Sequence, residues 1–193
     1  MSAQTGPLDG RIAVITGASR GIGYKAAKAF AAAGAHIVAI ARTVGGLEEL
    51  DDEIQALGGQ ATLVPLDLQD FDGIDRLGAA LHERWGKLDI LLANAGILGQ
   101  LSPLAHVEIK TWDEVMAINV TANWRLIRSL DPLLRQSDAG RAIFLSSAAA
   151  HKCRPFWGPY SVSKAAVEAL ARTYAQETQK TPIRVVSVDP GAT

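Results

Sequence analysis

The stretch "IAVITGASRGIGYKAAKAFAAAG", residues 12–34, joins a short apolar run to a glycine-rich turn and then to a helical pattern. A β-branched apolar run predicts a buried strand, and the alanine-rich segment that ends at Gly34 predicts a helix. Gly17, Gly21 and Gly23 allow a tight turn and let a pyrophosphate approach the backbone N–H groups at the start of the helix. The stretch therefore predicts a dinucleotide-binding unit, although glycines that serve only the turn conformation are the alternative.

The same alternation of strand and helix continues to the end of the chain. The predicted strands cover residues 11–16, 36–41, 61–66, 88–93, 142–147 and 183–188. The predicted helices cover residues 21–34, 47–59, 72–86, 112–134 and 158–177. Such alternation implies right-handed crossovers and a parallel sheet covered on both faces. We therefore expect one doubly wound α/β domain over residues 11–193, after a flexible leader over residues 1–10.

Composition excludes several classes of function. The chain has 193 residues and carries 19 basic and 20 acidic side chains, and this balance gives no electrostatic footprint for nucleic acid or an anionic membrane. The four histidines show no metal-ligand spacing, and Cys153 has no partner for a disulfide. No apolar stretch has the length of a signal peptide core or a membrane span. We expect a cytoplasmic protein without a metal site.

Six short motifs occur at the ends of predicted strands or on the later helices. They are "TGASRGIG" (16–23), "ANAG" (93–96), "INV" (118–120), "FLSS" (144–147), "YSVSK" (160–164) and "DPGAT" (189–193). In this order they resemble the short-chain dehydrogenases/reductases, and the resemblance runs from about Arg11 to the last residue. The GxxxGxG spacing is similar to the reductase branch of that family rather than to its epimerase-like branch. The resemblance implies a Rossmann sheet with strand order 3-2-1-4-5-6 and a nicotinamide cofactor.

The end of the second predicted strand bears on the choice of cofactor. NAD sites place an acidic residue there for the ribose 2′-hydroxyl, whereas this chain has Ala41 followed by Arg42 and Thr43. Arg42 and Arg20 offer guanidinium groups that suit a 2′-phosphate. This pattern predicts NADP(H) in preference to NAD(H), with two unrelated exposed arginines as the alternative.

Further cofactor contacts are implied by the resemblance. Asp67 matches a position that contacts the adenine, although a helix N-cap explains it equally well on local grounds. Pro190 and Gly191 match a turn beneath the nicotinamide, and the backbone of Thr193 is expected to face the carboxamide. The predicted cofactor-binding residues are Gly17, Ser19, Arg20, Gly21, Ile22, Gly23, Arg42, Thr43, Asp67, Leu68, Asn94, Ala95, Gly96, Tyr160, Lys164, Pro190, Gly191 and Thr193.

Tyr160 and Lys164 lie one turn apart on the last predicted helix and therefore share a face. A cation near a phenol favours the phenolate and so helps proton transfer near neutral pH, although a tyrosine resting on a lysine stem is also ordinary packing. Ser146 and Ser147 end the fifth predicted strand, and neighbouring strand residues face opposite ways. The interval from Ser147 to Tyr160 matches the spacing of the family, which selects Ser147.

The resemblance implies a mechanism in which NADPH delivers a hydride to a carbonyl carbon. Ser147 would hydrogen-bond the carbonyl oxygen while Tyr160 donates a proton to it. Lys164 would favour the phenolate and bind the nicotinamide ribose, and Asn119 would hold a water that resupplies the proton. A catalytically silent NADP-binding regulatory or interaction protein is the main alternative. An epimerase or dehydratase that uses the nicotinamide transiently is a further one, which the glycine spacing disfavours.

Substrate residues are assigned on the family pattern to Ser147, Arg154, Trp157 and Tyr160. Phe156 and Trp157 offer apolar surface, with core or dimer packing as the alternative, and Lys152 and Arg154 are possible anion contacts. A ketone on a hydrophobic body or an acyl thioester would therefore fit. The helices around residues 112–130 and 158–178 match those that form a four-helix interface in the family, which implies a homodimer or homotetramer. The family continues past the equivalent of Thr193 into a substrate lid and a seventh strand, so we expect a longer chain.

Overall fold

The structure of the protein is a computed structural model that describes residues 6–191. Its six strands are β1 (Ile12–Thr16), β2 (His36–Ala41), β3 (Gln60–Pro65), β4 (Ile90–Ala93), β5 (Arg141–Leu145) and β6 (Arg184–Val188). They form one sheet in the order β3-β2-β1-β4-β5-β6, and every adjacent pair is parallel. The predicted fold class and strand order are therefore confirmed.

Within residues 6–191, seven α-helices connect the strands. They are α1 (Gly21–Ala32), α2 (Val44–Ala56), α3 (Phe71–Trp85), α4 (Ile109–Met116), α5 (Ala122–Leu134), α6 (Ala149–Lys152) and α7 (Gly158–Glu177). The sequence did not predict α6 or a 3₁₀ turn at Leu104–His106, because segments of three or four residues are too short to show a helical period. Among residues 6–191, no helix has both the length and the apolar content to cross a membrane.

The two faces of the sheet are covered by different helices. Alternate residues of a strand point to opposite faces, so Val14 packs in the cluster beneath α3, α5 and α7, whereas Ile15 packs in the cluster beneath α1 and α2. Both side chains are fully buried. Burial of each side chain of this size contributes on the order of 2 kcal/mol, so the apolar strands are fixed firmly between the layers.

The predicted helix over residues 112–134 is not one regular α-helix. A π turn at Ala117–Thr121 separates α4 from α5, and the N–H of Ala122 donates to the carbonyl five residues earlier. The carbonyl of Asn119 accepts a hydrogen bond from the side chain of Asn123 at 2.6 Å. Such single π turns occur frequently at functional sites, and this one contains Asn119.

The amino ends of the strands carry a buried ion cluster around Asp89. Its carboxylate contacts Arg11 Nη1 at 2.9 Å and Lys87 Nζ at 3.0 Å. It also accepts from Ser137 Oγ at 2.6 Å and from the N–H of Ile12 at 2.9 Å. Burial alone would raise the pKa of Asp89, but these hydrogen bonds outweigh it and hold the pKa below its usual range. The cluster ties β1 to β4 and to the loop before β5.

Residues 6–10 of the predicted leader lie against the domain. The N–H of Leu8 donates to the carbonyl of Ala33 at 2.9 Å, and Leu8 packs against the cluster beneath α1 and α2. The flexibility predicted for residues 1–10 stays a prediction, and residues 1–5 lie outside the described part of the chain.

Candidate active site

The glycine-rich turn follows β1 and leads directly into α1. Gly17 and Gly21 adopt φ values of 66° and 64°, a region that favours glycine. A Cβ on Gly17 would lie 2.9 Å from Asn94 Nδ2, and one on Gly23 would lie 2.5 Å from the same atom. A Cβ on Gly21 would meet nothing within 4 Å. Gly17 and Gly23 therefore permit close packing on Asn94, whereas Gly21 borders open space.

Thr16 and Asn94 join the carboxyl ends of β1 and β4. The Asn94 amide donates to the carbonyl of Thr16 at 2.8 Å, and the N–H groups of Asn94 and Ala95 donate to Thr16 Oγ1, both at 3.1 Å. Sequence reasoning identified Asn94 and Ala95 but not Thr16. The available signal was a hydroxyl at the end of an otherwise apolar strand, where a buried polar side chain needs a partner.

A cavity of about 980 Å³ extends from this turn across the carboxyl ends of β1, β2 and β3. Most of the predicted cofactor-binding residues line it, namely Gly17, Ser19, Arg20, Gly21, Ile22, Arg42, Thr43, Asp67, Leu68, Asn94, Ala95 and Gly96. Gly23 is buried behind the turn. Lys25, which sequence reasoning missed, also lines the cavity; it lies one helical turn beyond Gly21.

Arg42 and Asp67 form an ion pair at the mouth of this cavity, with 3.7 Å between Nη1 and Oδ2. Both side chains are about half exposed, so the pair contributes little to stability. The interpretation of Asp67 as a helix N-cap is wrong, because α3 begins at Phe71 and its N-terminus is capped by Asp70, which accepts from the N–H of Gly73 at 2.9 Å. Asp67 instead accepts from the N–H of Gln69 in the preceding turn.

A second cavity of about 580 Å³ adjoins the first, and the two share Ile22, Asn94 and Gly96. The residues predicted for catalysis, substrate and nicotinamide binding that line it are Ser147, Arg154, Trp157, Tyr160, Lys164, Pro190 and Gly191. Lys152 and Asp189 line it as well. Thr193, also predicted to bind the cofactor, lies outside the described residues.

Helix α7 carries Tyr160 and Lys164 into the second cavity. Lys164 Nζ lies 5.6 Å from the centroid of the Tyr160 ring and donates to the carbonyl of Leu145 at 2.7 Å. Lys164 is 5% exposed, and this burial lowers its pKa to about 8. The ammonium therefore remains largely charged at neutral pH while being held against the end of β5.

The two serines were predicted to end the fifth strand, but β5 ends at Leu145. The N–H of Ser146 still bonds to the carbonyl of Val188, after which the chain turns into α6. Ser146 is buried and its hydroxyl donates to Glu168 at 2.6 Å. Ser147 Oγ accepts from the N–H of Ala149 at 3.2 Å and donates to no group among the described residues. The hydroxyl that faces the cavity with its hydrogen free is thus that of Ser147.

Asn119 is buried and borders neither cavity. Its amide nitrogen donates to the carbonyl of Ile97 and to Ser163 Oγ, both at 2.9 Å, and its Oδ1 accepts from the N–H of Ile97 at 2.8 Å. Ser163 Oγ in turn donates to the carbonyl of Tyr160 at 2.7 Å. Asn119 therefore ties the loop after β4 to α7 at Ser163, a contact that sequence reasoning did not predict.

Gly96 keeps a small space open between Asn119 and Lys164. A Cβ on Gly96 would lie 3.3 Å from Asn119 Oδ1 and 3.4 Å from Lys164 Nζ. Both polar atoms therefore flank the point that any larger residue would fill.

One wall of the second cavity is formed by the segment before α7. The Trp157 ring meets the Tyr160 ring edge-on at 5.9 Å, and the Arg154 guanidinium lies 5.5 Å from the Trp157 ring centroid. Phe156 is 56% exposed and has a φ of 71°, so it is not part of the core. The N–H of Ser102 donates to the carbonyl of Phe156, which connects this wall to the loop after β4.

The doubly wound parallel sheet, with a glycine-rich turn after its first strand, defines a nucleotide-binding protein of the Rossmann type. The sequence profile described as short chain dehydrogenase matches residues 11–193. The chain therefore belongs to the short chain dehydrogenase family, and it is an oxidoreductase of that type.

Solved structures and relatives agree with this assignment. A protein from Pseudomonas syringae described as a short chain dehydrogenase superposes with a TM-score of 0.94 at 40% identity, covering 99% of this chain and 81% of that one. A short chain dehydrogenase structure from Shigella flexneri, complexed with NADP, superposes with a TM-score of 0.92 at 35% identity, covering 97% and 80%. A protein of Mycobacterium tuberculosis named as an NAD-dependent oxidoreductase is 36% identical over 204 residues, covering 98% of this chain and 74% of that protein.

Proposed function

We propose that the protein is an NADP(H)-dependent oxidoreductase that transfers a hydride between the nicotinamide and a carbonyl or secondary alcohol substrate. The observation that carries this proposal is the placement of Ser147, Tyr160 and Lys164 around one cavity, directly beside the glycine-rich turn. A hydroxyl donor, a phenol and a cation in that arrangement suit proton transfer to a developing alkoxide.

The residues of the first cavity fit a dinucleotide. The first turn of α1 contains no acidic residue, and no side chain caps its N-terminus, so its backbone N–H groups are available to a diphosphate. Gly21 leaves space next to these groups. The turn from Gly17 to Gly23 would hold the diphosphate, Asp67 and Leu68 would contact the adenine, and Pro190 with Gly191 would lie beneath the nicotinamide.

The preference for NADP(H) is argued from charge at the end of β2. Ala41 offers no carboxylate to a ribose 2′-hydroxyl, whereas Arg20, Arg42 and Lys25 line the same cavity. Asp67 is the acidic residue lining that cavity, and Arg42 partly neutralises it. The Shigella flexneri structure holds NADP, but the Mycobacterium tuberculosis relative carries an NAD-dependent name, so the preference rests on the residues of this chain.

Each catalytic side chain then has one role. The bound nicotinamide supplies or accepts the hydride. Ser147 donates a hydrogen bond to the carbonyl oxygen, and Tyr160 donates its proton to that oxygen as negative charge develops there. Lys164 holds positive charge beside the phenol, lines the same cavity as Tyr160 and would bind the nicotinamide ribose. These groups are preorganised, because α7 fixes two of them on one rigid helix.

Asn119 contributes through the space next to Gly96. A water beside Gly96 would contact Asn119 Oδ1 and Lys164 Nζ, since both atoms border the space that a Cβ on Gly96 would narrow. Such a water would resupply, by way of Lys164, the proton that Tyr160 gives to the carbonyl oxygen. The amide nitrogen of Asn119 is fully engaged with Ile97 and Ser163, so we assign the water contact to its oxygen.

The substrate side of the second cavity combines apolar and cationic surface. Trp157 packs on Tyr160 and would contact a hydrophobic body next to the carbonyl. Arg154 and Lys152 line the same cavity and would bind an anionic group on that body. We therefore propose ketones and 3-oxoacyl-type compounds as the substrate class.

Cofactor titration followed by turnover tests the proposal. The protein is titrated with NADPH and NADH by fluorescence, and oxidation of the bound cofactor is then followed with ketones, aldehydes and acyl thioesters. We expect tighter NADPH binding and turnover of at least one carbonyl class. Tight binding without turnover across the panel would refute the enzymatic role and favour the silent regulatory protein.

We also propose a cytoplasmic homodimer or homotetramer. Apolar side chains on α4, α5 and α7 support it: Ile109 is 80% exposed, Trp124 46% and Val162 43%. Burial of such side chains between symmetric copies would remove apolar surface from water. Light scattering during size exclusion tests this assembly, and a monomer at all concentrations would refute it.

A further inference from the structure

A buried carboxylate, Glu168, lies behind the proposed catalytic groups, one helical turn past Lys164 on α7. The residue is 8% exposed. Its Oε1 accepts from Ser146 Oγ at 2.6 Å, and its Oε2 lies 3.0 Å from His151 Nε2. Arg172 approaches the same Oε2 at 3.4 Å. Because an unpartnered buried carboxylate would be costly, these contacts determine where the surrounding chain can lie.

Two of these contacts flank Ser147 in the sequence. Ser146 directly precedes it, and His151 follows it by four residues on α6. The carbonyl of Leu145, one residue earlier still, accepts from Lys164 Nζ. The segment 145–151 is therefore attached to α7 at three points, and α7 is also the helix that carries Tyr160.

We propose that Glu168 is a positioning residue, which sets the Ser147 hydroxyl at the correct distance from the Tyr160 phenol through Ser146 and His151. Glu168 borders neither cavity, so it acts through these neighbours and touches neither cofactor nor substrate. The catalytic part of this inference rests on the proposed function. Loss of the carboxylate removes the acceptor of the Ser146 hydroxyl and the side-chain contact that joins His151 on α6 to α7.

The size of the expected loss in kcat follows from the sensitivity of proton transfer to geometry. A displacement of about 1 Å in a catalytic group can reduce turnover by about 100-fold. The glycine-rich turn lies on β1 and α1 and makes none of these contacts, so NADPH affinity should be nearly unchanged. A change in kcat without a change in cofactor affinity distinguishes positioning from general loss of structure.

The test compares three variants with a matched control. Glu168→Ala and Ser146→Ala each remove one side of the hydrogen bond, whereas Glu168→Gln keeps an acceptor oxygen for Ser146. Asp89→Asn is the control, because Asp89 is also a buried, hydrogen-bonded carboxylate but lies at the opposite ends of the strands. Turnover, NADPH affinity, thermal unfolding and deuterium uptake of a peptide covering residues 145–152 are measured for each.

We expect Glu168→Ala and Ser146→Ala to lower kcat by about 10-fold to 100-fold with NADPH affinity retained, and Glu168→Gln to recover most of the activity. Deuterium uptake over 145–152 should rise in the two alanine variants but not in Asp89→Asn.

Wild-type kcat in both alanine variants, or unchanged uptake over 145–152, would overturn the proposal. If Glu168→Ala does not fold, the kcat and deuterium uptake of Ser146→Ala and Glu168→Gln test the positioning role of Glu168. If the wild-type protein turns over no carbonyl, the proposed function fails, while deuterium uptake still shows whether Glu168 fixes the segment.

Discussion

At the amino ends of the strands, Arg11 and Lys87 contact the buried carboxylate of Asp89. At the carboxyl ends, Lys164 is also buried, but it contacts a carbonyl and, among residues 6–191, no carboxylate. The hydrogen bonds at the first end lower the pKa of Asp89 despite its burial. At the second end burial lowers the pKa of Lys164 to about 8. Charge that is paired within the protein holds strands together, and charge left without a counter-ion is available to a ligand.

The backbone N–H groups at the two ends of the strands also differ in whether they have partners within the protein. At the carboxyl ends, α1 presents its N-terminal N–H groups to a cavity without a side-chain cap. At the amino ends, the N–H of Ile12 is occupied by Asp89 and the N–H of Arg141 by the carbonyl of Asp89. We therefore expect substitutions at the carboxyl ends to affect turnover and substitutions at the amino ends to affect stability.

The largest expected effect is that of Tyr160→Phe on turnover. Removal of the phenolic proton should lower kcat by about 10² to 10⁴-fold, because general acid catalysis has that magnitude, with NADPH affinity retained. Steady-state kinetics with the best carbonyl of the panel measures it. The control is Tyr174→Phe on the same helix, whose hydroxyl donates to Asp131 outside both cavities and whose loss should leave kcat unchanged. Unchanged turnover in Tyr160→Phe would refute its role as the acid.

The second effect concerns the opposite ends of the strands. Asp89→Asn should lower the free energy of unfolding by about 3 kcal/mol at neutral pH, since it leaves two cations and a hydroxyl without their shared partner, and should leave kcat unchanged. The folded-state pKa of Asp89 is lowered, so its stabilisation is complete above the ordinary aspartate value and is lost as the pH falls through the folded-state pKa. Denaturant titrations should show the variant and the wild type converging in acid. A constant difference at all pH values would contradict this assignment.

The third prediction concerns the uncompensated Lys164. Its pKa is about 8 in the folded protein and 10.5 ordinarily, so between these values the unfolded chain binds more protons than the folded one. Stability should therefore rise with pH in that window, by about 2 kcal/mol relative to Lys164→Met, which has no such titration. Denaturant titrations of both proteins from pH 7 to about pH 10 measure it. If the free energies of unfolding of the wild type and Lys164→Met change in parallel with pH, Lys164 is not desolvated.

The smallest expected effect is that of Arg42→Ala on cofactor choice. Loss of one charge-assisted phosphate contact should weaken NADPH binding by about 10-fold and leave NADH binding nearly unchanged. Fluorescence titration with both cofactors measures it, and Arg141→Ala, an exposed arginine at the amino end of β5, is the control. An equal effect of Arg42→Ala on both cofactors would remove the argument for a 2′-phosphate site.

Features that depend on neighbours in the sequence could be predicted. Tyr160 and Lys164 share a face because they lie four residues apart on a helix, and α7 has the predicted bounds. The glycine-rich turn was identified because its strand and helix flank it directly. The choice of Ser147 over Ser146 depended on resemblance, and the contact between Ser146 and Glu168 is consistent with it.

Features that depend on distant residues could not be predicted. Glu168 meets Ser146 across 22 residues, and Asn119 meets Ser163 across 44, and no local pattern indicates either pair. The cap of α3 was assigned to Asp67 as one possibility, because Asp67 precedes the predicted helix. The backbone at the helix start instead places Asp70 beside the N–H of Gly73, which local sequence did not indicate.

The π turn at Ala117–Thr121 determines how α5 is rotated relative to α4. One extra residue in a turn rotates everything after it by about 100° relative to a regular α-helix. The apolar stripe of α4 and that of α5 are thus out of phase, so α4 packs toward α7 while α5 packs toward α3. Deletion of a single residue within this turn would restore the regular phase, and one of the two stripes would then face water. The number of residues in this segment, independently of their side chains, therefore allows α4 to pack on α7, which carries Tyr160 and Lys164, while α5 packs on α3.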